Sequence, residues 1–158
     1  MPLANEENMI ALAARTKDIL SPEVTHSLPP GWQSIYSLER AKEWIEERAN
    51  ESAFLLIKSK LNPEVLGFIF LYPDESDDKN KIAIRFGYLL GKENWGKGIG
   101  TEVLGGFVKW AEKTHAIKSI SGGVEKSNIG SIKVLEKVGF SKLENDTPDT
   151  IFYEYTLL

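Results

Sequence analysis

The order of sequence patterns predicts a mixed α/β fold, in which helices pack on a central sheet. Apolar side chains in residues 82–90 alternate with the two-residue period of a strand. A glycine-rich turn at 95–100 follows, and residues 101–114 then place apolar side chains on one face of a helix. A further strand is predicted at 117–124. Because this helix connects two strands, we expect them to be parallel and joined by a right-handed crossover.

The N-terminal half predicts two helices and a hairpin of strands. Residues 6–15 form the first helix and residues 38–50 the second, because their apolar side chains recur at helical spacing. The short apolar runs 53–58 and 65–72 predict two buried strands. Three prolines and a glycine within residues 21–37 predict an irregular connection between the two helices.

The C-terminal part of the chain adds one helix and two strands. Residues 129–138 are predicted to form the helix, which Gly139 ends. The strands are predicted at 140–143 and 151–157, the second with alternating apolar side chains. Consecutive hairpins favour antiparallel pairing, so the sheet is predicted to be mixed.

Composition limits the classes of protein to which this chain can belong. With 158 residues, of which 42 % are hydrophobic, the chain fits a single domain spanning 1–158. It has no cysteine and two histidines, which excludes a cysteine nucleophile and disfavours a metal site. A net charge of −4 gives no support for nucleic-acid binding. No apolar run approaches the roughly 20 residues of a membrane span and the acidic N-terminus is no signal peptide, so the predicted location is cytoplasmic.

The turn Trp95–Gly100 is the main candidate binding feature. Its glycines allow positive φ and a close approach of another group to the backbone. The free amides and the dipole at the start of the following helix favour a phosphate, and Lys97 adds a full positive charge. The spacing fits neither a nucleotide P-loop nor a dinucleotide fingerprint. Taken alone, the turn is equally compatible with a connection that binds nothing.

Two segments carry a resemblance to a known family. The runs FGYLLGKENWGKGIGTEVL (86–104) and NIGSIKVLEKVGF (128–140) resemble the core of GCN5-related N-acetyltransferases, the GNAT superfamily. More narrowly, they resemble the branch that acetylates the N-terminal amines of ribosomal proteins. The resemblance implies a GNAT-like, mostly antiparallel sheet with a splayed parallel pair of strands and helices on both faces. It also implies acetyl-CoA as the cofactor.

The resemblance also assigns roles to particular residues. Backbone groups near Leu89 and Leu90 would bind the pantetheine and orient the thioester carbonyl. Asn128 would hydrogen-bond the pantetheine arm, and Ser131 would protonate the leaving thiolate. The CoA pyrophosphate would lie on the backbone amides of the turn that follows Trp95, namely those of Gly96, Lys97, Gly98, Ile99 and Gly100. Asn128 and Ser131 also fit a purely structural N-cap and third helical position.

Three departures from the family pattern bear on these expectations. Many superfamily members carry a tyrosine near the sulfur, where Ser131 stands here, and serine is a poorer acid. Trp95 occupies the place where the family has Gln or Arg, but backbone amides do most of the phosphate binding, so we expect binding to be retained. Relatives begin with an arginine-containing strand that ends in Arg-Pro-Leu, whereas this sequence starts at Met1-Pro2-Leu3. The first strand is therefore predicted to be missing or shortened.

The predicted reaction is acetyl transfer from acetyl-CoA to a primary amine. In the absence of cysteine, we expect direct attack by the amine with no acyl-enzyme. Glu125, which closes a strand just before Asn128, is the first candidate for the general base, and Glu102 is the second. The branch resemblance favours the N-terminal amine of a ribosomal or other protein as the acceptor. Two alternatives stay open: a small amine such as a polyamine, amino acid or aminoglycoside, and a non-catalytic acyl-CoA sensor. The resemblance also allows a homodimer, for which the sequence gives no signal.

Overall fold

The computed structural model describes residues 6–74 and 80–157, and its elements follow the predicted order. The helices are α1 (Glu6–Ile19), α2 (Pro22–Thr25), α3 (Leu38–Glu51), α4 (Ile99–Thr114) and α5 (Ile129–Val138). The strands are β1 (Ala53–Lys58), β2 (Val65–Asp74), β3 (Ile82–Leu90), β4 (Ile117–Glu125), β5 (Ser141–Lys142) and β6 (Thr150–Thr156). The start of the chain, where a missing first strand is predicted, lies outside the described residues.

Most predicted bounds lie within two residues of those in the structure, where α4 begins at Ile99 and β5 is only Ser141–Lys142. Two segments differ further. The first helix continues to Ile19, because Thr16 and Ile19 are buried and the Thr16 hydroxyl donates to the Leu12 carbonyl at 2.7 Å. The segment predicted as irregular contains α2 and a one-turn 3-10 helix at Pro30–Trp32. Both short helices have proline in their first turn, where the missing N–H costs no intrahelical hydrogen bond.

The six strands form one mixed sheet, which confirms the predicted fold class. Their order is β1-β2-β3-β4-β6-β5. The strands β3 and β4, joined through α4, run parallel, whereas β6 pairs antiparallel with both β4 and β5. The parallel ladder covers Ile82–Arg85 of β3, and its last pair joins Arg85 to Ser121, although β3 continues to Leu90 and β4 to Glu125.

The described residues divide into two compact units, of which the first contains the residues up to Phe70 together with Tyr88–Trp95. In this unit α1 packs on α3, and α3 packs on β1. Its core is aromatic: Trp44 is fully buried, with the rings of Trp32 and Phe68 centred 5.5 and 5.4 Å away. Such aromatic contacts add to the hydrophobic stabilisation of the unit.

The second unit contains Leu71–Gly87 and the residues from Gly96 onward. Here α4 packs on β4 and on α5. The buried face of α4 carries Leu104, Val108 and Ala111, which lie at helical spacing, as the sequence pattern predicts. Burial of this apolar face fixes the direction of α4 in the unit, and with it the position of the glycine turn at its N-terminus.

Residues 6–74 and 80–157 contain neither a candidate membrane-spanning helix nor a candidate metal-binding cluster. No helix in this part of the chain has the length and apolar character needed to cross a bilayer. Nor does it bring three or more histidine, aspartate or glutamate side chains together as a metal-binding group.

Candidate functional site

The glycine turn in the second unit exposes its backbone. Gly96 and Gly98 have φ angles of +73° and +80°, in the left-handed region that favours glycine. Both residues are exposed, and a Cβ at either position would meet no atom within 4 Å. The turn therefore combines a conformation that other residues rarely adopt with open space beside the main chain.

The first turn of α4 offers free amide groups. Gly98 is the N-cap and supplies no side-chain cap, while its carbonyl accepts from the Glu102 amide at 3.1 Å. The first amides of an α-helix have no partner within the helix, and the helix dipole adds partial positive charge there. Lys97, which is exposed, adds a full charge. This arrangement is suited to binding a phosphate group.

The loop that precedes the turn in the chain belongs to the first unit, where hydrogen bonds join it to β2. It forms a one-turn 3-10 helix at Lys92–Asn94. The Leu66 carbonyl accepts two hydrogen bonds from this loop, from the Gly91 amide at 3.0 Å and from Nδ2 of Asn94 at 3.3 Å. Asn94 is buried, so its hydrogen bond is shielded from water.

The side chain of Trp95 contacts the last residue of β3. Its indole Nε1 donates to the Leu90 carbonyl at 3.0 Å, while the side chain remains 48 % exposed. Leu89 and Leu90 are both buried. The carbonyl of Leu90 thus already accepts one hydrogen bond and has capacity for a second. The indole N–H thus anchors Trp95 to the end of β3, and its exposed ring stays a candidate ligand contact.

A close approach of two strands occurs at Gly67 of β2. A Cβ at this position would lie 2.1 Å from the Leu89 carbonyl oxygen and 3.0 Å from Cα of Leu90. Both neighbours are backbone atoms, which cannot move aside as a flexible side chain could. Glycine is therefore required where β2 passes the end of β3. The sequence interpretation did not identify this residue as part of a site.

The start of α5 shows the predicted Asn128–Ser131 pair in contact. The side-chain oxygen of Asn128 accepts from the Ser131 amide at 3.1 Å, the arrangement of an N-cap. The side chain of Asn128 also carries an NH2 group with two donors. Asn128 is exposed and Ser131 is partly exposed. The capping contact is therefore compatible with a ligand contact through the other end of the same side chain.

Glu125, the candidate base, is the last residue of β4 and is partly exposed. The Ser127 hydroxyl lies 3.4 Å from a carboxylate oxygen of Glu125. The backbone N–H of Asn128 donates to the backbone carbonyl of Glu125 at 2.9 Å. The same turn carries an ion pair, in which Nζ of Lys126 lies 3.0 Å from Asp146. The hydrogen bond from Lys126 lowers the pKa of Asp146, so this acid is a poor candidate for a proton acceptor.

The structure places the predicted site residues in two groups. The first unit contains Leu89, Leu90 and Trp95, and a hydrogen bond joins the last two. The second unit contains the turn residues Gly96–Gly100, together with Glu125, Asn128 and Ser131. Glu102, the second candidate base, is exposed in the first turn of α4.

Comparison with known proteins gives the family. A family model described as the acetyltransferase (GNAT) domain matches residues 7–141. The probable N-acetyltransferase YjcK of Bacillus subtilis (strain 168) is 45 % identical over 56 residues, which are 35 % of this chain and 31 % of YjcK. This match therefore spans less than a third of the relative's own length.

Solved structures show the same fold. The ribosomal L7/L12 α-N-protein acetyltransferase RimL, in complex with coenzyme A, aligns with a TM-score of 0.74 at 18 % identity over 98 % of this chain and 91 % of that chain. The aminoglycoside acetyltransferase AAC(6')-Ib, also with coenzyme A, gives 0.68 at 20 % identity over 98 % and 92 %. The predicted GNAT-like fold is thereby confirmed, and a ribosomal-protein acetyltransferase is among its structural relatives. With most of its length matched by the family model, the chain belongs to the GNAT acetyltransferase family.

Proposed function

We propose that this protein transfers an acetyl group from acetyl-CoA to a primary amine. The observation that carries the proposal is the turn at Gly96–Gly98, where two exposed glycines with positive φ precede an uncapped helix N-terminus. In a chain of the GNAT family, this geometry suits the pyrophosphate of CoA, because the main chain is open to close approach and the amides point outward.

The residues of the turn fit the phosphate groups that they are proposed to hold. Backbone amides of Gly96, Lys97, Gly98, Ile99 and Gly100 are the proposed donors. The Lys97 ammonium group would contribute Coulombic attraction, which is modest at an exposed position. Asn128 is proposed to donate from its NH2 group to the pantetheine arm. The roles of Leu89, Leu90 and Trp95 as further contacts stay predictions from the family resemblance.

The chemistry requires a neutral amine, a polarised carbonyl and a proton for the departing thiolate. When bound, acetyl-CoA supplies the activated thioester carbonyl. Glu125 is proposed to accept the proton of the attacking amine, directly or through a water molecule. The attacking nitrogen would replace the sulfur at the carbonyl carbon that acetyl-CoA supplies. Ser131 is proposed to donate a proton to the departing sulfur and would regain one from water. Because the sequence contains no cysteine, we propose direct transfer to the amine.

We propose a protein or peptide N-terminal amine as the acceptor. Support comes from the resemblance of residues 86–104 and 128–140 to the ribosomal-protein branch, and from the likeness to RimL. A small amine is the second candidate, since an aminoglycoside acetyltransferase aligns over the same 98 % of the chain. A thiol-release assay with N-terminal peptides, polyamines and aminoglycosides in parallel would discriminate between them. The cytoplasm is the proposed location.

Acetyl-CoA and CoA are expected to raise the melting temperature of the purified protein, whereas ATP at the same concentration is not. A ligand that binds only the folded state at a hundredfold excess over Kd adds about 2.7 kcal/mol to the free energy of unfolding. The measurement is a thermal shift with the three ligands in parallel. An equal shift with ATP would indicate a general phosphate site, and no shift with any ligand would contradict the proposed function.

Replacing Glu125 by Gln is expected to slow acetyl transfer and to remove the acidic limb of the pH–rate profile. The amide keeps the size of the side chain but cannot accept the amine proton, so the rate loses its dependence on an ionised carboxylate. The profile should be measured with the best acceptor from the thiol-release screen, and Glu102→Gln, at the second candidate base, should be measured in parallel. An unchanged limb in Glu125→Gln would remove this residue from the proposed role.

A further inference from the structure

Arg15, in the second half of α1, reaches two other segments of the first unit. Its Nε donates to the Val65 carbonyl at 2.7 Å, and its Nη2 lies 2.6 Å from a carboxylate oxygen of Glu93. Nη1 lies 3.5 Å from a carboxylate oxygen of Glu64. The side chain of Arg15 is only 17 % exposed. The hydrogen bond to Val65 is therefore partly buried, whereas the contacts with Glu64 and Glu93 are open to solvent, because those carboxylate side chains are 49 % and 53 % exposed.

The guanidinium group allows one side chain to hold both segments at once. Val65 is the first residue of β2, and Glu93 lies in the 3-10 helix that follows β3. Arginine presents its donors in a fixed planar fork, so satisfying both acceptors fixes their separation. Hydrogen bonds with a charged donor are also shorter and stronger than neutral ones. Arg15 thus ties the start of β2 to the loop after β3.

The start of β2 and the loop after β3, which Arg15 joins, both contact or adjoin the end of β3. The residue after Val65 is Leu66, whose carbonyl accepts from Gly91 and Asn94 of the loop. Gly67 follows, and it lies against the backbone of Leu89 and Leu90. The positions of Leu89 and Leu90 therefore depend on the same stretch of β2 and the same loop that Arg15 holds together.

We propose that Arg15 is a positioning residue for the end of β3, where Leu89 and Leu90 are expected to contact the pantetheine of acetyl-CoA. The inference rests on the proposed function. Arg15 acts through Val65 and Glu93 and does not itself contact the ligand. Its loss leaves the hydrogen bonds on the Leu66 carbonyl to hold the loop against β2, so the backbone groups of β3 are held less firmly in the geometry that binds acetyl-CoA.

Three variants and a control test this role. Arg15→Gln removes the charge and the fork, Arg15→Lys keeps the charge alone, and Glu93→Gln keeps the size of the loop partner but removes its charge. Arg40→Gln is the control, because it removes a partly exposed arginine of the same unit whose described partners are Glu43, Glu47 and the Gly31 carbonyl. Calorimetry measures the affinity for acetyl-CoA, and hydrogen exchange measures the protection of the Gly91 amide.

Arg15→Gln is expected to raise the Kd for acetyl-CoA about tenfold, the usual size of a lost charged hydrogen bond. Glu93→Gln should raise it less, because the contact with Val65 remains. Arg15→Lys should not restore the affinity, because the ammonium group lacks the planar fork. The Gly91 amide is expected to exchange faster in the Arg15→Gln and Glu93→Gln variants. Arg40→Gln should leave both quantities unchanged.

Unchanged acetyl-CoA affinity in Arg15→Gln and Glu93→Gln would overturn the inference, and so would an equal loss in Arg40→Gln. If Arg15→Gln does not fold, Glu93→Gln decides alone, since the side chain of Glu93 is 53 % exposed and its replacement leaves the core intact. Failure of the wild-type protein to bind acetyl-CoA is a separate outcome. It would overturn the proposed function and with it this inference.

Discussion

Gly98→Ala is expected to bind acetyl-CoA about a hundredfold more weakly than the wild-type protein, because about 3 kcal/mol is lost when the turn geometry and its charge-assisted hydrogen bonds are disturbed. Gly98 has φ of +80° and is the N-cap of α4. A residue with a Cβ avoids this conformation, so the chain relaxes and the amides that follow change direction. Calorimetry with acetyl-CoA measures the effect.

Two further variants separate the causes of that loss. Asparagine tolerates the left-handed region better than alanine does, so Gly98→Asn should restore the turn while still placing a side chain beside the main chain. Recovery of affinity in Gly98→Asn would assign the loss to backbone conformation, and continued weakness would assign it to the close approach of the ligand. Gly105→Ala is the control, because a Cβ at Gly105 meets no atom within 4 Å inside α4. Wild-type affinity in both Gly98 variants would show that the turn does not hold the pyrophosphate.

Gly67→Ala is expected to destabilise the protein by about 3 kcal/mol, the upper end of the usual cost of overpacking a core. The added Cβ would lie 2.1 Å from the Leu89 carbonyl oxygen, so one of two paired strands must move. For a chain of this size, about 2–4 °C of melting temperature is lost for each kcal/mol. The displacement also falls on Leu89 and Leu90, so we expect weaker acetyl-CoA binding in the protein that remains folded.

Gly31→Ala is the matched control for this prediction. Gly31 lies in the same unit, and a Cβ there would meet no atom within 4 Å. Its carbonyl accepts from Arg40, a contact that alanine preserves. Similar melting temperatures for Gly31→Ala and Gly67→Ala would contradict the close approach of β2 to the end of β3.

Sequence patterns predicted the elements because each is specified by local signals. The alternation at 82–90 coincides with β3, and the helical periodicity of 129–138, ended by Gly139, coincides with α5. Ser37, just before α3, accepts from the Arg40 amide at 3.0 Å and so caps this helix. The turn at 95–100 was likewise predictable as a turn, because glycines between a strand and a helix allow the positive φ found at Gly96 and Gly98.

The features of the fold and of the candidate site that the sequence did not predict depend on contacts between residues far apart in the chain. Arg15 is 50 positions from Val65 and 78 from Glu93, so no local pattern distinguishes it from a solvent-exposed arginine on a helix. Asn94 gives no local sequence signal either, because its hydrogen-bond partner is the carbonyl of Leu66 in β2, 28 positions away. The sequence does contain a signal for Gly67. A glycine within an otherwise apolar strand run often marks a close approach of backbones, and that rule applied to 65–72 identifies it.

Under the proposed function, asparagine at the cap of α5 offers a contact that the other residues that start helices well do not. Serine, threonine and aspartate would each supply the oxygen that accepts from Ser131. Asparagine supplies the same oxygen and, unlike those three residues, also carries an NH2 group, which can donate to a ligand while the oxygen stays bonded to the helix. Under the proposed function, the fold fixes one end of the Asn128 amide and leaves the other for pantetheine. Folding and recognition then share a single planar group, and selection on either one constrains the other.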